Sequence, residues 1–238
     1  MKIALIGYGK MGKTIEGLAL AQGHTIAGTF DIDRPADTAS LHDADVCIEF
    51  STPATAVQNI QTAIAAKKDI VVGTTGWYDR LPEVRQAMGT AQSGILYSAN
   101  FSIGVNMFFR IVAATADLMR GYDDYDPYVH EIHHRQKADS PSGTALRLAE
   151  ILVKRIDRKK EIATGRMDGR IPEQSLHVTS TRVGTFSGTH TVGFDSEADL
   201  IELTHTARSR KGFALGALRA AQWLRGRKGI YTMDDVEL

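Results

Sequence analysis

The sequence predicts an α/β protein in two parts: a parallel sheet layered with helices, then a smaller α+β part built on a mixed sheet. Three observations carry this. Short apolar runs rich in β-formers alternate with helical stretches from the N-terminus to about residue 102, which is the pattern of a parallel sheet. A glycine-rich turn joins the first such run to the first helix. From residue 103 the alternation stops, and strand-like runs cluster around few helices. The expected division is residues 1–102, residues 103–210, and a C-terminal return to the first part over residues 211–238.

A chain of 238 residues is long enough for two small cores. Lys plus Arg and Asp plus Glu both number 28, so no net field favours nucleic acid or a membrane surface. Cys47 is the only cysteine, which excludes an internal disulfide and fits a reducing compartment. The opening apolar run stops at Gly7, too short for a signal-peptide core or a membrane span. A cytoplasmic protein is expected.

Residues 2–6 form the first strand and residues 13–22 the first helix. Between them, Gly7-Tyr8-Gly9-Lys10-Met11-Gly12 reads G-x-G-x-x-G. The first glycine permits a tight turn, the second lets backbone approach a pyrophosphate, and the third lets helix pack close to strand. The second strand, residues 24–30, ends in Asp31, where a carboxylate can accept hydrogen bonds from an adenosine ribose. Together these predict a Rossmann-type dinucleotide-binding domain; the alternative is a glycine turn that only serves packing. Ile32, not arginine, follows Asp31. A 2′-phosphate would meet a carboxylate with no adjacent cation, so NADH is expected over NADPH. Arg34 is near enough to reverse that preference.

The third strand, residues 45–50, holds Cys47, expected to pack as a small hydrophobe. Thr52-Pro53-Ala54 starts a helix running to about residue 66. The fourth strand, residues 69–73, ends in Gly73-Thr74-Thr75-Gly76. Small and hydroxyl residues at the carboxyl end of a parallel strand lie where such sheets bind ligands, although an ordinary loop would look the same. A helix follows Leu81-Pro82, and a fifth strand, residues 94–98, leads into Ala99-Asn100-Phe101-Ser102. The second part is expected to hold helices over 104–120 and 142–158, and strands over 125–133, 175–182, 185–194 and 200–206. Residues 159–174, charged and containing glycine, are expected to be a mobile surface loop. A helix over 212–224 should close the first part, with a short strand or tail over 230–238.

Residues 131–145 are the richest in chemistry. They offer two adjacent imidazoles, His133 and His134, then the cation Lys137, then Ser140-Pro141-Ser142-Gly143-Thr144. Pro, Ser and Thr suit the first positions of a helix, whose free amides attract anions. The combination suits a small polyanion that is protonated as it reacts. His130-Glu131-Ile132-His133-His134 also matches the zinc-protease pattern H-E-x-x-H. That chemistry needs both histidines on one helix face. The preceding Tyr125-Asp126-Pro127-Tyr128-Val129 favours a strand, in which His130 and His134 lie far apart, and no metal is expected. The bland alternative is a pair of half-buried, hydrogen-bonded imidazoles at a strand end.

The stretch H-H-R-Q-K-A-D-S-P-S-G-T-A resembles the signature E-x-H-H-x-x-K-x-D-x-P-S-G-T-A of the 4-hydroxy-tetrahydrodipicolinate reductase (dihydrodipicolinate reductase) family. Every fixed position is met: Glu131, His133, His134, Lys137, Asp139, Pro141, Ser142, Gly143, Thr144 and Ala145. The glycine loop, G-T-T-G at Gly73, and N-F-S-x-G-V-N from Asn100 to Asn106 extend the resemblance along the chain. Glu49-Phe50-Ser51 departs from it, since the family more often shows D-F-[ST] there.

The resemblance implies NAD(P)H-dependent reduction of a cyclic, conjugated imine dicarboxylate in the diaminopimelate route to lysine. It implies His133 as proton donor and acceptor and Lys137 as second proton donor. His134 would contact one substrate carboxylate; Gly143 and Thr144, with Ser142, would bind the other. Gly7, Tyr8, Gly9, Lys10, Met11, Gly12 and Asp31 would hold the nucleotide. Gly73, Thr74, Thr75, Ser98, Ala99, Asn100 and Phe101 would lie along its nicotinamide half, and Arg210 and Phe213 near it. A homotetramer built through the second part is also implied. Two other readings stand beside this one. Another two-domain dehydrogenase is one: an aspartate-semialdehyde dehydrogenase would need a catalytic cysteine, for which strand-bound Cys47 is poor, and an aspartate dehydrogenase would not explain the histidine and S-G-T-A pairing. A non-catalytic dinucleotide sensor is the other, and it has no need of proton donors.

Overall fold

Continuous apolar runs become buried strands in the computed structural model, which describes residues 1–89 and 92–237. In chain order the first unit contains β1 (Lys2–Ile6), α1 (Lys10–Ala21), β2 (Thr25–Phe30), β3 (Val46–Glu49), α2 (Pro53–Ala65), β4 (Asp69–Val72), α3 (Leu81–Met88) and β5 (Gly94–Tyr97). The second contains α4 (Ile103–Met119), β6 (Asp126–His133), α5 (Gly143–Arg155), β7 (Glu161–Thr164), β8 (Ser175–Arg182), β9 (Thr189–Asp195) and β10 (Leu200–Thr206). The chain then returns to the first unit with α6 (Lys211–Leu224) and β11 (Gly229–Tyr231). The two compact units are Met1–Ile103 with Arg210–Leu238, and Gly104–Ser209. Leu238, the end of the expected C-terminal return, lies outside the described residues.

The six strands of the first unit are parallel, in the order β11-β5-β4-β3-β1-β2. Parallel strands are covered on both faces, which is why these runs are apolar throughout rather than alternating. Successive side chains still point to opposite sides. Ile3, Leu5, Val46 and Ile48 pack with Ile15 of α1 and Ala217, Leu218 and Ala221 of α6. Ala4, Ile6, Cys47 and Val72 pack with Val57 and Ile60 of α2 and Val84 of α3. Cys47 is fully buried, and burial pushes its thiol up to about 12, the behaviour of a packing residue.

Helix α6 lies close to the loop after β5. A Cβ on Gly216 would sit 1.6 Å from the Phe101 carbonyl oxygen. Gly216→Ala should therefore destabilise by about 1–3 kcal/mol, although alanine is the better helix former. A raised Tm in thermal unfolding would show that α6 does not need this close approach.

The second unit carries a five-stranded mixed sheet, β10-β9-β6-β8-β7. β8 is parallel to β6 and β7, while β9 is antiparallel to β6 and β10. Its core joins Phe108, Val112 and Ala116 of α4 and Leu148, Ala149 and Leu152 of α5 to Val129, Leu176, Val178, Val192 and Phe194 of the sheet. Along β6 exposure alternates, so Pro127, Val129, Glu131 and His133 share the buried face.

Several expected boundaries are corrected. Helix α1 begins at Lys10 rather than residue 13, because Gly9 already serves as its extended N-cap and places Gly12 in the first turn. Helix α5 ends at Arg155 rather than residue 158, since Ile156 turns to extended backbone and is fully buried. The stretch expected as a mobile loop, residues 159–174, contains β7. Four residues are too few to show a period; distant contacts order them. Lys159, 2% exposed, donates to the carbonyls of Glu173 at 2.7 Å and Ser175 at 3.0 Å and pairs with Asp126. Strand β9 begins at Thr189 rather than residue 185, because Gly184 (φ +49°) and Gly188 (φ +131°) hold a turn. Among the described residues, no helix is long and apolar enough to cross a membrane.

Candidate active site

Chemically distinctive residues gather in two places, one in each unit. In the first, they lie at the carboxyl ends of β1 to β5, where ligands bind to open parallel sheets. Gly7 has φ +89°, and a Cβ there would lie 2.2 Å from the Phe50 carbonyl oxygen. A Cβ on Gly12 would lie 2.4 Å from the Gly7 carbonyl oxygen, whereas one on Gly9 would meet nothing within 4 Å. The three glycines thus serve turn, open face and helix contact respectively. Lys10 and Gly9 are exposed at the open start of α1, Met11 packs against the core, and Tyr8 donates its hydroxyl to Glu16.

Asp31 is held rigidly. Its carboxylate accepts from the backbone N–H of Tyr8 at 3.1 Å and of Ile32 at 2.9 Å. Asp31 and Arg34 exchange backbone hydrogen bonds, and the Arg34 guanidinium lies 5.8 Å from the centre of the Phe30 ring. Ile32 is 82% exposed. A cavity of about 280 Å³ is lined here by Gly9, Asp31, Ile32 and Phe50 and by Thr55 and Asn59 of α2.

The next loops are tied together by Glu49, a residue the sequence marks only as a departure from the family pattern. It is fully buried. Its Oε1 accepts from the Ser51 N–H and hydroxyl, from Thr74 Oγ1 at 3.0 Å and from Asn59 Nδ2 at 3.5 Å. Burial raises its carboxyl above the usual range against the pull of those hydrogen bonds. The Thr74 carbonyl is fixed by Trp77 Nε1 at 2.8 Å. A Cβ on Gly73 would strike the Phe50 ring at 2.1 Å, and Thr75 is exposed. Ser98 Oγ accepts from the Asn100 N–H, and Asn100 Oδ1 from the Ser102 N–H, so residues 98–102 form a self-capped turn with Ala99 exposed. Phe101 is 1% exposed; its ring packs edge-on to Phe50, in the core rather than in the open. Arg210 caps α6 and Phe213 is half-buried one turn on, where Gly212 approaches Ser102.

In the second unit the organising group is Glu131, fully buried between β8 and β9. Its Oε1 accepts from the Ser142 N–H at 2.9 Å, Ser180 Oγ at 2.9 Å and Arg182 Nη2 at 2.7 Å. Its Oε2 accepts from Ser142 Oγ and lies 3.3 Å from His133 Nδ1 and 3.4 Å from His190 Nε2. Burial alone would push this carboxyl up; hydrogen bonds from His190, Ser142 and Arg182 outweigh it and hold Glu131 well below the usual range. Burial also pushes His133 down, to about 4, opposed by Glu131 and reinforced by His190, Lys137 and Arg182.

Ser142 is the N-cap of α5, its Oγ accepting from the Ala145 N–H, so its N–H and hydroxyl both serve Glu131. Gly143 is exposed in the first turn, with Thr144 half-buried after it. Lys137 Nζ pairs with Asp139 Oδ1 at 2.8 Å, and the Asp139 carbonyl accepts from Arg182 at 2.6 Å. His134 follows the end of β6, half-buried, its Nδ1 without a hydrogen-bond partner. His130 bonds Thr179 at 2.8 Å from within the strand, contrary to the helical H-E-x-x-H geometry. Glu131, His133 and His190 do bring three metal-capable atoms within 4.8 Å of one another. With Arg182 and two serines already on the carboxylate, the group reads as a charge-compensated hydrogen-bond network.

His190, Arg182 and Ser180 had no signal in the sequence. Glu131 had one: two residues after Val129 on one face of a strand, a carboxylate faces the core and must find donors.

Two family models match the chain. Dihydrodipicolinate reductase, N-terminus, covers residues 1–101, and dihydrodipicolinate reductase, C-terminus, covers residues 104–236. The chain is 42% identical over 238 residues to the 4-hydroxy-tetrahydrodipicolinate reductase of Christiangramia forsetii, spanning 99% of this chain and 97% of that one. It is 38% identical to the enzyme of the same name from Archaeoglobus fulgidus, spanning 99% of each. In structure it is similar to a dipicolinate-bound dihydrodipicolinate reductase from Paenisporosarcina sp. TG-14, with a TM-score of 0.77 over 98% of this chain and 97% of that one, at 21% identity.

Proposed function

This chain belongs to the dihydrodipicolinate reductase family, and from that premise we propose how its residues divide the work. The protein is an NAD(P)H-dependent oxidoreductase that reduces 4-hydroxy-tetrahydrodipicolinate in the diaminopimelate route of lysine biosynthesis. One observation carries the assignment of roles: a single set of polar contacts centred on Glu131 and Arg182, hydrogen bonds and close charge pairs together, links His133, Lys137 and the start of α5.

The residues of the first unit fit a dinucleotide: an open Gly9, a fixed carboxylate at Asp31 and a cavity between them and α2. Gly7 to Gly12 and Asp31 hold the adenosine and pyrophosphate, with Lys10 and Tyr8 beside them. Gly73 to Thr75, Ser98 to Phe101, Arg210 and Phe213 hold the nicotinamide half, Phe101 through its backbone. When bound, the reduced nicotinamide supplies the hydride.

The second unit binds and protonates the substrate. The Gly143 and Thr144 amides take one carboxylate at the start of α5, and His134 takes the other. Ser142 acts by fixing that helix start through Glu131. Lys137 neutralises charge and is the second proton donor. His133, neutral at rest because it is buried, gains a proton when a dianion arrives beside it, since negative charge favours the imidazolium. It then delivers that proton to the reduced ring.

NADH is the preferred cofactor in this reading, because the fixed Asp31 carboxylate repels a 2′-phosphate, exposed Ile32 offers it no charge, and the Arg34 guanidinium lies over the Phe30 ring. Assembly is a homotetramer through the second unit, where β10 is an edge strand with Leu200 and Ile201 exposed; the compartment is the cytoplasm.

The test follows NADH and NADPH oxidation with substrate made in situ from pyruvate and aspartate semialdehyde by a purified synthase. NADH should be used more efficiently. Asp31→Ser should move the kcat/KM ratio toward NADPH by roughly tenfold or more, since a like-charge contact is removed. Equal use of both cofactors by the unaltered protein would sink the Asp31 argument. No oxidation of either, from protein that binds NADH, would leave only a nucleotide-binding protein.

A further inference from the structure

We propose that Glu131, with His190, is the positioning pair of the second unit's site: one buried carboxylate sets the tautomer of His133 and locks the start of α5 in register with it. The inference rests on His133 being the proton donor.

Two imidazoles converge on the second oxygen of Glu131, His133 Nδ1 at 3.3 Å and His190 Nε2 at 3.4 Å, with their rings edge-to-face. A carboxylate needed only to hold the fold would be satisfied by Arg182, Ser180 and Ser142 on its first oxygen. An anion facing Nδ1 favours the N–H there, which leaves Nε2 as the nitrogen that exchanges a proton with a ligand. Space beside Nε2 exists because residue 188 is glycine: a Cβ there would lie 2.9 Å from Nε2. The His133–Glu131 contact is not yet aligned as a hydrogen bond, as is common before substrate closes a catalytic geometry.

The same carboxylate reaches the other parts of the site. Through Ser142 it fixes the amides of α5. Through Arg182 it reaches the Asp139 carbonyl, and the Asp139 carboxylate pairs with Lys137. His190 braces the arrangement from β9, its Nε2 also 3.2 Å from Ser142 Oγ.

The charged and titratable groups facing His133 are Glu131 on its own strand, His190 on β9, Arg182 on β8 and Lys137 in the segment after β6. Glu131 is the only anion among these four. Removing its charge should make the His133 imidazolium harder to form by about one to three pH units. Because His133 donates when protonated, the basic limb of the kcat–pH profile should move to lower pH in Glu131→Gln.

Two measurements test this. Long-range ¹H–¹⁵N spectra of the full chain, with His133 identified by the signal lost in His133→Gln, report the tautomer without any turnover. The Nδ1–H form is expected in the unaltered protein, and its loss in Glu131→Gln. Kinetics should show kcat lowered by roughly 10²-fold with the basic limb displaced and NADH affinity retained. His190→Gln should lower kcat less strongly and move the basic limb the other way, to higher pH, because His190 reinforces the lowering of His133. The Nε2–H tautomer in the unaltered protein would overturn the proposal even if Glu131→Gln fails to fold. So would a Glu131→Gln or His190→Gln protein with lowered Tm but unchanged tautomer and pH profile. If the unaltered protein does not reduce the imine, the reading of function fails, while the tautomer still decides what Glu131 does.

Discussion

His133→Gln is expected to lower kcat by about 10²–10⁴-fold, the contribution of a positioned proton donor. Glutamine keeps a hydrogen-bonding amide near Glu131 but cannot carry a proton. The affinity for NADH should stay within about twofold, because the residues assigned to the nucleotide belong to the first unit and His133 to the second. Steady-state kinetics and a fluorescence titration with NADH read the two quantities separately, and equal loss of both would count against the role. The variant also has a stability signature. Burial lowers His133 from its ordinary 6.5 to about 4, so between those values the unfolded chain binds the extra proton. His133 therefore contributes stability that is present above pH 6.5 and lost as pH falls toward 4. Glutamine does not titrate. The Tm of the variant, relative to the unaltered protein, should accordingly rise as pH is lowered from 7 to 5.

Gly9→Val should have the complementary effect: NADH affinity reduced by roughly 10²-fold, or about 2.7 kcal/mol, with the fold intact. Gly9 is the one glycine of the loop whose Cβ would meet nothing, and its φ of −79° suits any residue. Its stability should change by no more than about 0.5 kcal/mol, as for other exposed positions. The open space it leaves is where backbone must approach a pyrophosphate, and a branched side chain would fill it. Gly7 and Gly12 cannot make this distinction, because side chains there collide with the Phe50 and Gly7 carbonyls. Unchanged NADH binding by Gly9→Val, with unchanged Tm, would move the nucleotide away from this loop.

These two positions also mark what could be read without the structure. The glycine loop, Asp31 and residues 131–145 are local patterns. Each depends on neighbours a few residues away, so spacing alone carries them, and the parallel first sheet follows from strands that mostly alternate with helices, β2 and β3 excepted. The structure adds what lies between distant residues. Glu131 meets Ser180, Arg182 and His190 only because β6 pairs with β8 on one side and β9 on the other. Strand β7 exists because Lys159 is buried against the carbonyls of Glu173 and Ser175. The Glu49 network needs α2 and the loop after β4 to arrive at one point.

By itself the sequence determined the fold class and singled out the glycine loop and residues 131–145, because backbone conformation and side-chain chemistry there are set by adjacent residues. Only the tertiary structure decided which donors meet Glu131: Ser142, Ser180, Arg182 and His190. Strand pairing is chosen by burial across the whole sheet, and a buried charge takes whatever donors that pairing brings within reach.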